Sequence, residues 1–431
     1  MTSRVILAVT LLTLSTATDV AAQPASDDVV RFKIQAGGRD QLKLAMPLPI
    51  GDGGAALALQ TVVGNDLALS GFFKILDPKA FLANLAAEGL TIHAQDWKNV
   101  GAEGVIKARA TPYGNEIKIE LKLYEVSKGD TPVLEREYKG SQVKVRQFAH
   151  AWAGEVVKYF TGEDSFFTTK MAFSAGTAKL RRDVYVMDWD GANVFPLTRS
   201  SQNVLPNWSP SGGEIVFTSY LAGKPDLYVT PVGGGKPKSI SGRPGLNIGA
   251  AYSPDGSKIA VTLSQDGNSE IYLLSRDGAI LKRLTNNPFI DTSPSWSPDG
   301  SRIAFVSDRL GSPQIFVMNA DGSNQRRLST RGNYNQTPAW CPRSDLHLVA
   351  FTARDEKFSY DIFVINVDTG ELTRVTEGRG SNQKPTWAPN GRAIAYESTR
   401  GGIWISTADG RTERQIFKGN AATPAWGPAS K

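Results

Sequence analysis

Cysteine and histidine are nearly absent from this chain. Cys341 is the only thiol in 431 residues, so no internal disulfide can form. It stands in a slot where sister copies of a repeat carry Ser, Ala or Gly, and it reads as a packing residue rather than a reactive thiol. Of the three histidines, His93 and His150 have no second His, Cys or carboxylate at a ligand or catalytic spacing. They read as structural or exposed, and His347 stands in the apolar stretch Leu346–Val349. No Gly-x-Ser-x-Gly elbow, His-Glu-x-x-His, Cys-x-x-Cys or phosphate loop occurs. Asp188-Trp189-Asp190-Gly191 opens like a calcium loop, but Val194 and Pro196 fall on ligand positions, which leaves a plain hairpin turn. No catalytic residue, cofactor or metal is expected.

Long hydrophobic runs are missing as well. Arg4, the apolar run Val5–Leu14 and the small-residue end Val20-Ala21-Ala22 make a secretory signal over residues 1–22, cleaved near Ala22. That run is far short of the ~20 residues a membrane span needs. An exported, not membrane-spanning protein is expected. Long Lys/Arg runs are absent too. The net charge of +6 divides into 17 basic and 18 acidic side chains over residues 23–165, and 30 against 23 over residues 166–431. A basic half favours acidic partners, but its charges are scattered through turns, which excludes nucleic acid as the expected partner.

What the chain does have is a repeat. Trp208-Ser209-Pro210, Tyr252-Ser253-Pro254, Trp296-Ser297-Pro298, Trp340-Cys341-Pro342, Trp387-Ala388-Pro389 and Trp426-Gly427-Pro428 lie 44, 44, 44, 47 and 39 residues apart. A period of this length means a propeller, solenoid or array. One unit reads as four short strands: Ser295–Trp296, then Arg302–Ser307 after the Pro298-Asp299-Gly300 turn, then Gln314–Met318, then Arg327–Ser329 after Asp321-Gly322. The aromatic ring is too large for one small sheet to cover and should wedge between blades. A strand with a central aromatic also occurs six times, centred on Tyr185, Tyr228, Tyr272, Phe316, Phe363 and Trp404. The first has no Trp-Ser-Pro strand before it and the last Trp-Gly-Pro has nothing after it. The C-terminal strand should therefore complete the first blade and close a ring of six.

Residues 23–165 show no repeat. Val29–Ile34 and Leu42–Met46 read as strands, Ala55–Leu69 as a helix with Leu57, Val62, Leu67 and Leu69 on its apolar stripe, and Lys79–Ala87 as a second helix behind Asp77-Pro78. Gly104–Ala110, Glu116–Val126 and Val133–Tyr138 read as strands, and Val143–Phe160 as a helix. Gly162-Glu163-Asp164-Ser165 reads as the linker. The expected fold class is multidomain: an N-terminal α/β domain over residues 23–165, then an all-β six-bladed propeller over residues 166–431.

Five residues before each blade aromatic stand Asn203, Asn247, Asp291, Asn335, Asn382 and, breaking the series, Ala421. They should ring the channel mouth on one face. Each either ties its own loop as an Asx-turn or presents hydrogen-bonding groups to a partner. Thr292, Gln336 and Gln383 follow them, and Arg309, Arg354 and Arg400 add basic groups to the same rim.

Other stretches are similar, in order, to one family: Val30-Arg31-Phe32-Lys33-Ile34, Ser70-Gly71-Phe72-Phe73-Lys74-Ile75-Leu76, Gly101-Ala102-Glu103-Gly104, Leu123-Tyr124-Glu125-Val126, Phe148-Ala149-His150 and Phe160-Thr161-Gly162-Glu163. With the six Trp-Ser-Pro-like turns, the chain resembles the TolB family, the periplasmic propeller proteins of the Tol-Pal system. That resemblance implies a periplasmic, monomeric, non-enzymatic adaptor supporting outer-membrane invagination at cell division and envelope integrity. It implies that the lipoprotein Pal binds at the channel-mouth face (Asn203, Asn247, Asp291, Thr292, Asn335, Gln336, Asn382 and Gln383 as candidates). It also implies that TolA takes the mature N-terminal segment with Asp27, Asp28, Val30, Phe32 and Ile34; other outer-membrane or Tol proteins are further candidates. Thr292 matches a family recognition position, whereas Leu246-Asn247-Ile248-Gly249 departs from the family's His-containing loop. The alternative is an exported propeller enzyme, a carbohydrate lyase or hydrolase with its site in the channel.

Overall fold

The computed structural model describes residues 41–81, 88–178, 181–199, 201–354 and 359–429. The signal segment and the expected strand carrying Asp27, Asp28, Val30, Phe32 and Ile34 lie outside the described residues. No described helix is long and apolar enough to cross a membrane.

In the N-terminal domain, β1 (Leu42–Ala45), β2 (Ile50–Gly51), α1 (Gly53–Leu69), β3 (Phe73–Ile75), α2 (Ala94–Asn99), β4 (Gly104–Tyr113), β5 (Glu116–Glu125), β6 (Leu134–Gly140) and α3 (Val145–Thr161) follow one another. The sheet runs β3-β1-β4-β5-β6, with β2 also paired to β4. Its β1, β2 and β3 edges are parallel, while β4, β5 and β6 form an antiparallel meander. Asp52 starts α1 by accepting the Ala55 N–H at 2.8 Å. The helix buries Ala55, Leu59, Val62, Val63 and Leu67 against α3 and the sheet, and Leu57 faces outward, off the stripe assigned from the sequence. The expected helix over Lys79–Ala87 starts as one 3-10 turn, Pro78–Ala80, capped by Asp77; residues 82–87 lie outside the described residues. The short elements β2, β3 and α2 escape a periodicity reading because two to six residues are too few to show a period.

The propeller has six four-stranded antiparallel blades. In the fourth, Asp291–Trp296 is innermost, followed outward by Arg302–Ser307, Gln314–Asn319 and Arg326–Arg327. The C-terminal strand Ala421–Trp426 pairs with Lys170–Ala178, which continues to Arg181–Asp188 and Phe195–Pro196, so the first blade is built from both ends of the ring as expected.

The repeated residues hold the blades to one another. The Trp208, Trp296 and Trp387 indole N–H groups donate to Ala425, Ala251 and Ala339 carbonyls on the preceding inner strand, at 2.9, 3.1 and 2.9 Å. Within the Ser-Pro-Asp-Gly turn, the Ser297 and Ser301 hydroxyls donate to the two Asp299 oxygens and hold that carboxyl down at about 2. The turn glycines sit at positive φ against the previous blade's proline: Gly212 on Pro428, Gly256 on Pro210 and Gly300 on Pro254. The Asp-Gly hairpins press harder. A Cβ on Gly191, Gly278 or Gly410 would stand 1.9, 1.7 or 2.4 Å from a backbone oxygen of the neighbouring blade. Cys341 is buried as a packing residue, and burial pushes its thiol up to about 11.

The N-terminal domain sits on the underside of the ring, at the turns that lead from the first to the second strand and from the third to the outer strand. One hydrophobic cluster runs from Leu59, Trp152 and Val156 through Phe166, Phe167 and Trp189 to Trp426 and Ile405. The expected linker is docked rather than free. Glu163 pairs with Arg392 and, at 3.5 Å, with Arg343, and Asn390 donates to the Asp164 carbonyl at 3.0 Å.

Candidate functional site

With the underside occupied, the opposite face carries the channel mouth. Each inner strand there has the same irregularity. Pairing with the second strand slips by a bulge between Val204 and Asn207, Ile248 and Ala251, Thr292 and Ser295, Gln336 and Ala339, Gln383 and Thr386, and Ala422 and Ala425. The first residue inside each bulge is left-handed: Leu205, Gly249, Ser293, Thr337, Lys384 and Thr423 have φ between 50° and 62°. A proline follows in five blades and Ala250 in the third. Non-glycine residues held in this region cost about 1 kcal/mol or more each, and such strain gathers where a fold shapes a binding surface. The freed N–H groups reach across to the neighbouring blade. Ser293 donates to Thr262 Oγ1 at 3.2 Å, Lys384 to Thr352 Oγ1 at 3.0 Å and Thr423 to Glu397 Oε2 at 2.7 Å.

These bulges line a central cavity of about 200 Å³ whose wall includes Thr292, Ser293, Thr337, Lys384, Thr386 and Thr423. Lys384 is the only charged residue among its described lining, and it pairs with Glu397 at 3.3 Å.

Asn203, Asn247, Asp291, Asn335 and Asn382 head the inner strands as expected, but all five are buried. Asn203 donates to Asp183 and Thr198, Asn335 to Gln314 at 2.9 Å, and Asn382 to Asp361 at 3.4 Å; Ser241 donates to Asn247 at 2.6 Å. Asp291 accepts from Asn287 at 2.7 Å and Arg309 at 3.0 Å. Asn203, Asn335 and Asn382 thus tie to the preceding blade, Asn247 and Asn335 also bind carbonyls of their own loops, and Asp291 binds its own loop and blade. They leave little for a partner to touch, whereas Thr292, Gln336 and Gln383 remain half-buried at the mouth.

A second ring went unread in the sequence. Asp183, Asp226, Glu270, Gln314 and Asp361 each precede the aliphatic-aromatic pair of a third strand, and most are buried beside the next blade's Asn or Asp. At the sixth joint both rings lapse together, with Gly402 in one and Ala421 in the other. Arg309 and Arg400 belong to this interior rather than to a basic rim. Arg309 is bound to Asp291 and Gln325, and Arg400 to Glu413 with its guanidinium 3.7 Å over Trp404. Arg354 stacks on Tyr334.

The mouth also exposes large apolar side chains. Leu221 (58%), Leu310 (56%) and Ile290 (50%), with Tyr220, Leu246 and Phe289, project from loops of the second to fourth blades. Hydrogen bonds join these loops in pairs: Leu246 N–H to Ser264, Ile290 N–H to Asp308 and Tyr220 N–H to the Gln202 carbonyl. Six large apolar side chains on one face are more than the scattered single ones usual on a soluble protein's surface. Their sequence signal is an apolar pair inside a Gly- or Pro-containing loop, as in Tyr220-Leu221-Ala222-Gly223.

Comparison with known proteins agrees with this architecture. The model of the TolB beta propeller domain matches residues 157–430, and that of the TolB amino-terminal domain matches residues 30–131. A Tol-Pal system protein TolB from Anaeromyxobacter dehalogenans (strain 2CP-C) is 42% identical over 224 residues, 48% of this chain and 50% of that protein. One from Roseobacter denitrificans is 33% identical over 211 residues, 47% and 48% of the two chains. The chain thus spans about half the length of the curated relatives it matches. The crystal structure of TolB from Acinetobacter baumannii superposes with a TM-score of 0.80 at 26% identity, over 90% of this chain and 97% of that one. Six blades closed by the C-terminal strand, an α/β domain on the underside and both domain matches in order place the chain in the TolB family.

Proposed function

We propose that this protein is a periplasmic adaptor of a Tol-Pal system, docking Pal on the channel-mouth face and TolA through the segment holding Asp27, Asp28, Val30, Phe32 and Ile34. The observation that carries the reading is the apolar arc of Leu221, Phe289, Ile290 and Leu310 beside the half-buried Thr292, Gln336 and Gln383. Apolar side chains ringed by hydrogen-bonding groups are the anatomy of a specific protein interface. Family membership supplies the partner class, and the free upper face lets a lipoprotein bind while the underside stays joined to the N-terminal domain. The carbohydrate-enzyme alternative finds no pair of carboxylates on the described cavity wall, where Lys384 is the one charged group.

The test is capture from a cell-envelope extract on the immobilised mature protein. The intact chain should retain a Pal-like lipoprotein and TolA. Phe289→Asp with Ile290→Asp should cut Pal capture at least about tenfold, the size of a hot-spot loss, and leave TolA. Removal of residues 23–34 should do the reverse. Undiminished Pal capture by the double variant would overturn the assigned face, and unchanged TolA capture by the deletion would overturn the assigned segment.

A further inference from the structure

The joint between the two domains contains a buried ionisable cluster that neither partner site uses. Asp66 on α1 accepts from or donates to His150 Nδ1 on α3 at 2.7 Å, and both side chains are almost fully buried. The other ring nitrogen, Nε2, faces Asp190 Oδ2 at 3.8 Å across the domain boundary, on the turn after the propeller strand Arg181–Asp188. Arg146, one turn before His150 on α3, binds the same Asp190 oxygen. The groups facing Asp66 are therefore His150 and Arg146 from α3 and Asp190 from the propeller. Asp188, two residues earlier, turns instead to Lys170 and Asn193.

Counting protons shows what the arrangement requires. Arg146 and Asp190 cancel. If the Asp66–His150 pair holds one added proton, as carboxyl plus imidazole or carboxylate plus imidazolium, the cluster is neutral and Nε2 can present an N–H to Asp190. If the pair loses that proton, the imidazole's one N–H goes to Asp66. A bare Nε2 lone pair then meets the Asp190 carboxylate, and one net negative charge is buried between the domains. Among the described residues, neither Asp66 Oδ1 nor His150 Nε2 has another hydrogen-bond partner to absorb the change. Uncompensated buried charge is among the costliest states a protein can hold.

We propose that the Asp66–His150–Asp190 cluster is a proton-dependent latch that fastens the N-terminal domain to the propeller and slackens when the pair loses its proton. Burial pushes the Asp66 carboxyl up to about 7, against the lowering pull of His150 and Arg146 and with a further upward push from Asp190. A carboxyl raised on folding from 3.8 binds its proton more tightly in the native state, so the joint is firmest on the acid side and weakens as pH rises through about 7. The latch is in contact with the ring's interior. Trp189, next to Asp190, packs edge-on against His150 at 6.2 Å and against Phe166 at 5.1 Å; Phe166 packs on Trp426, whose backbone N–H binds Thr386 on the cavity wall. The inference does not depend on which partners bind.

Hydrogen exchange of the mature protein tests it. After correction for intrinsic rates, protection of the 188–192 turn and of the first turns of α3 should fall about tenfold between about pH 6 and pH 8, while the far blades stay level. The Asp66 side-chain carbon resonance should titrate near 7 in the same window. Asp66→Asn, a neutral stand-in for the protonated carboxyl, should abolish the slope and keep protection high. Asp190→Asn, which removes the propeller's carboxylate, should flatten it. A wild-type joint with pH-independent protection would overturn the latch, as would Asp66 titrating near 4 or a slope that survives in either variant.

Discussion

The blade-to-blade joints and the domain-to-propeller joint solve one problem, fastening two preformed units, in different ways. Blade joints repeat small, mostly neutral parts: an indole N–H on a carbonyl in three of them, a glycine against a backbone oxygen, an Asn amide on a neighbouring strand head. The domain joint is made once, from a shared hydrophobic cluster and titratable groups, Glu163 with Arg392 and Arg343, and Asp190 with Arg146 and His150. Repetition spreads the load so that no single blade joint needs a switchable group. A unique joint can carry one.

The contrast can be broken most severely at a wedge. Trp208→Ala should cost about 3–5 kcal/mol, read as a lower denaturation midpoint for the whole ring. Gly278→Ala should cost about 3 kcal/mol, because its Cβ would meet the Ile240 carbonyl oxygen at 1.7 Å. Gly267, with a similar positive φ but nothing within 4 Å, should lose only about 1 kcal/mol as alanine, and that difference isolates the inter-blade contact from backbone strain. Acid reaches a different part of the ring. Burial opposes ionisation of Glu413, yet hydrogen bonds from Arg400, Tyr396 and Arg379 hold its carboxyl down at about 2. Its contribution is full above about 4.5 and is lost as pH falls toward 2, so Glu413→Gln should flatten the acid limb of a stability profile there. Glu163→Gln should be mildest, about 1 kcal/mol, and should lower the N-terminal domain's transition in calorimetry while leaving the ring's unchanged.

Much of the ring was legible because a period multiplies every signal. The six aromatics, the Asp-Gly hairpins and the unmatched ends together implied six blades with a shared first one, and the strand pairing agrees. The Asn series was placed correctly at the strand heads but not in its surroundings. Asn203 and Asn335 are buried by Asp183 and Gln314, partners some 20 residues upstream that no local window connects to them. Leu221, Phe289 and Leu310 give no periodic signal because they lie in loops. His150 looked isolated since Asp66 lies 84 positions away. Glu163 sits in a stretch of Gly, Glu, Asp and Ser that has the composition of a linker, although its charge is what fastens the segment down.

The prolines after the left-handed residues carry one last consequence. Pro206, Pro294, Pro338, Pro385 and Pro424 place a ring nitrogen, with no hydrogen to give, on the rim strand of five sheets. A peptide entering the lumen therefore finds no continuous row of amide donors to zip onto, and the same feature discourages one molecule's rim from templating another's. Whatever is admitted must be recognised through side chains and shape.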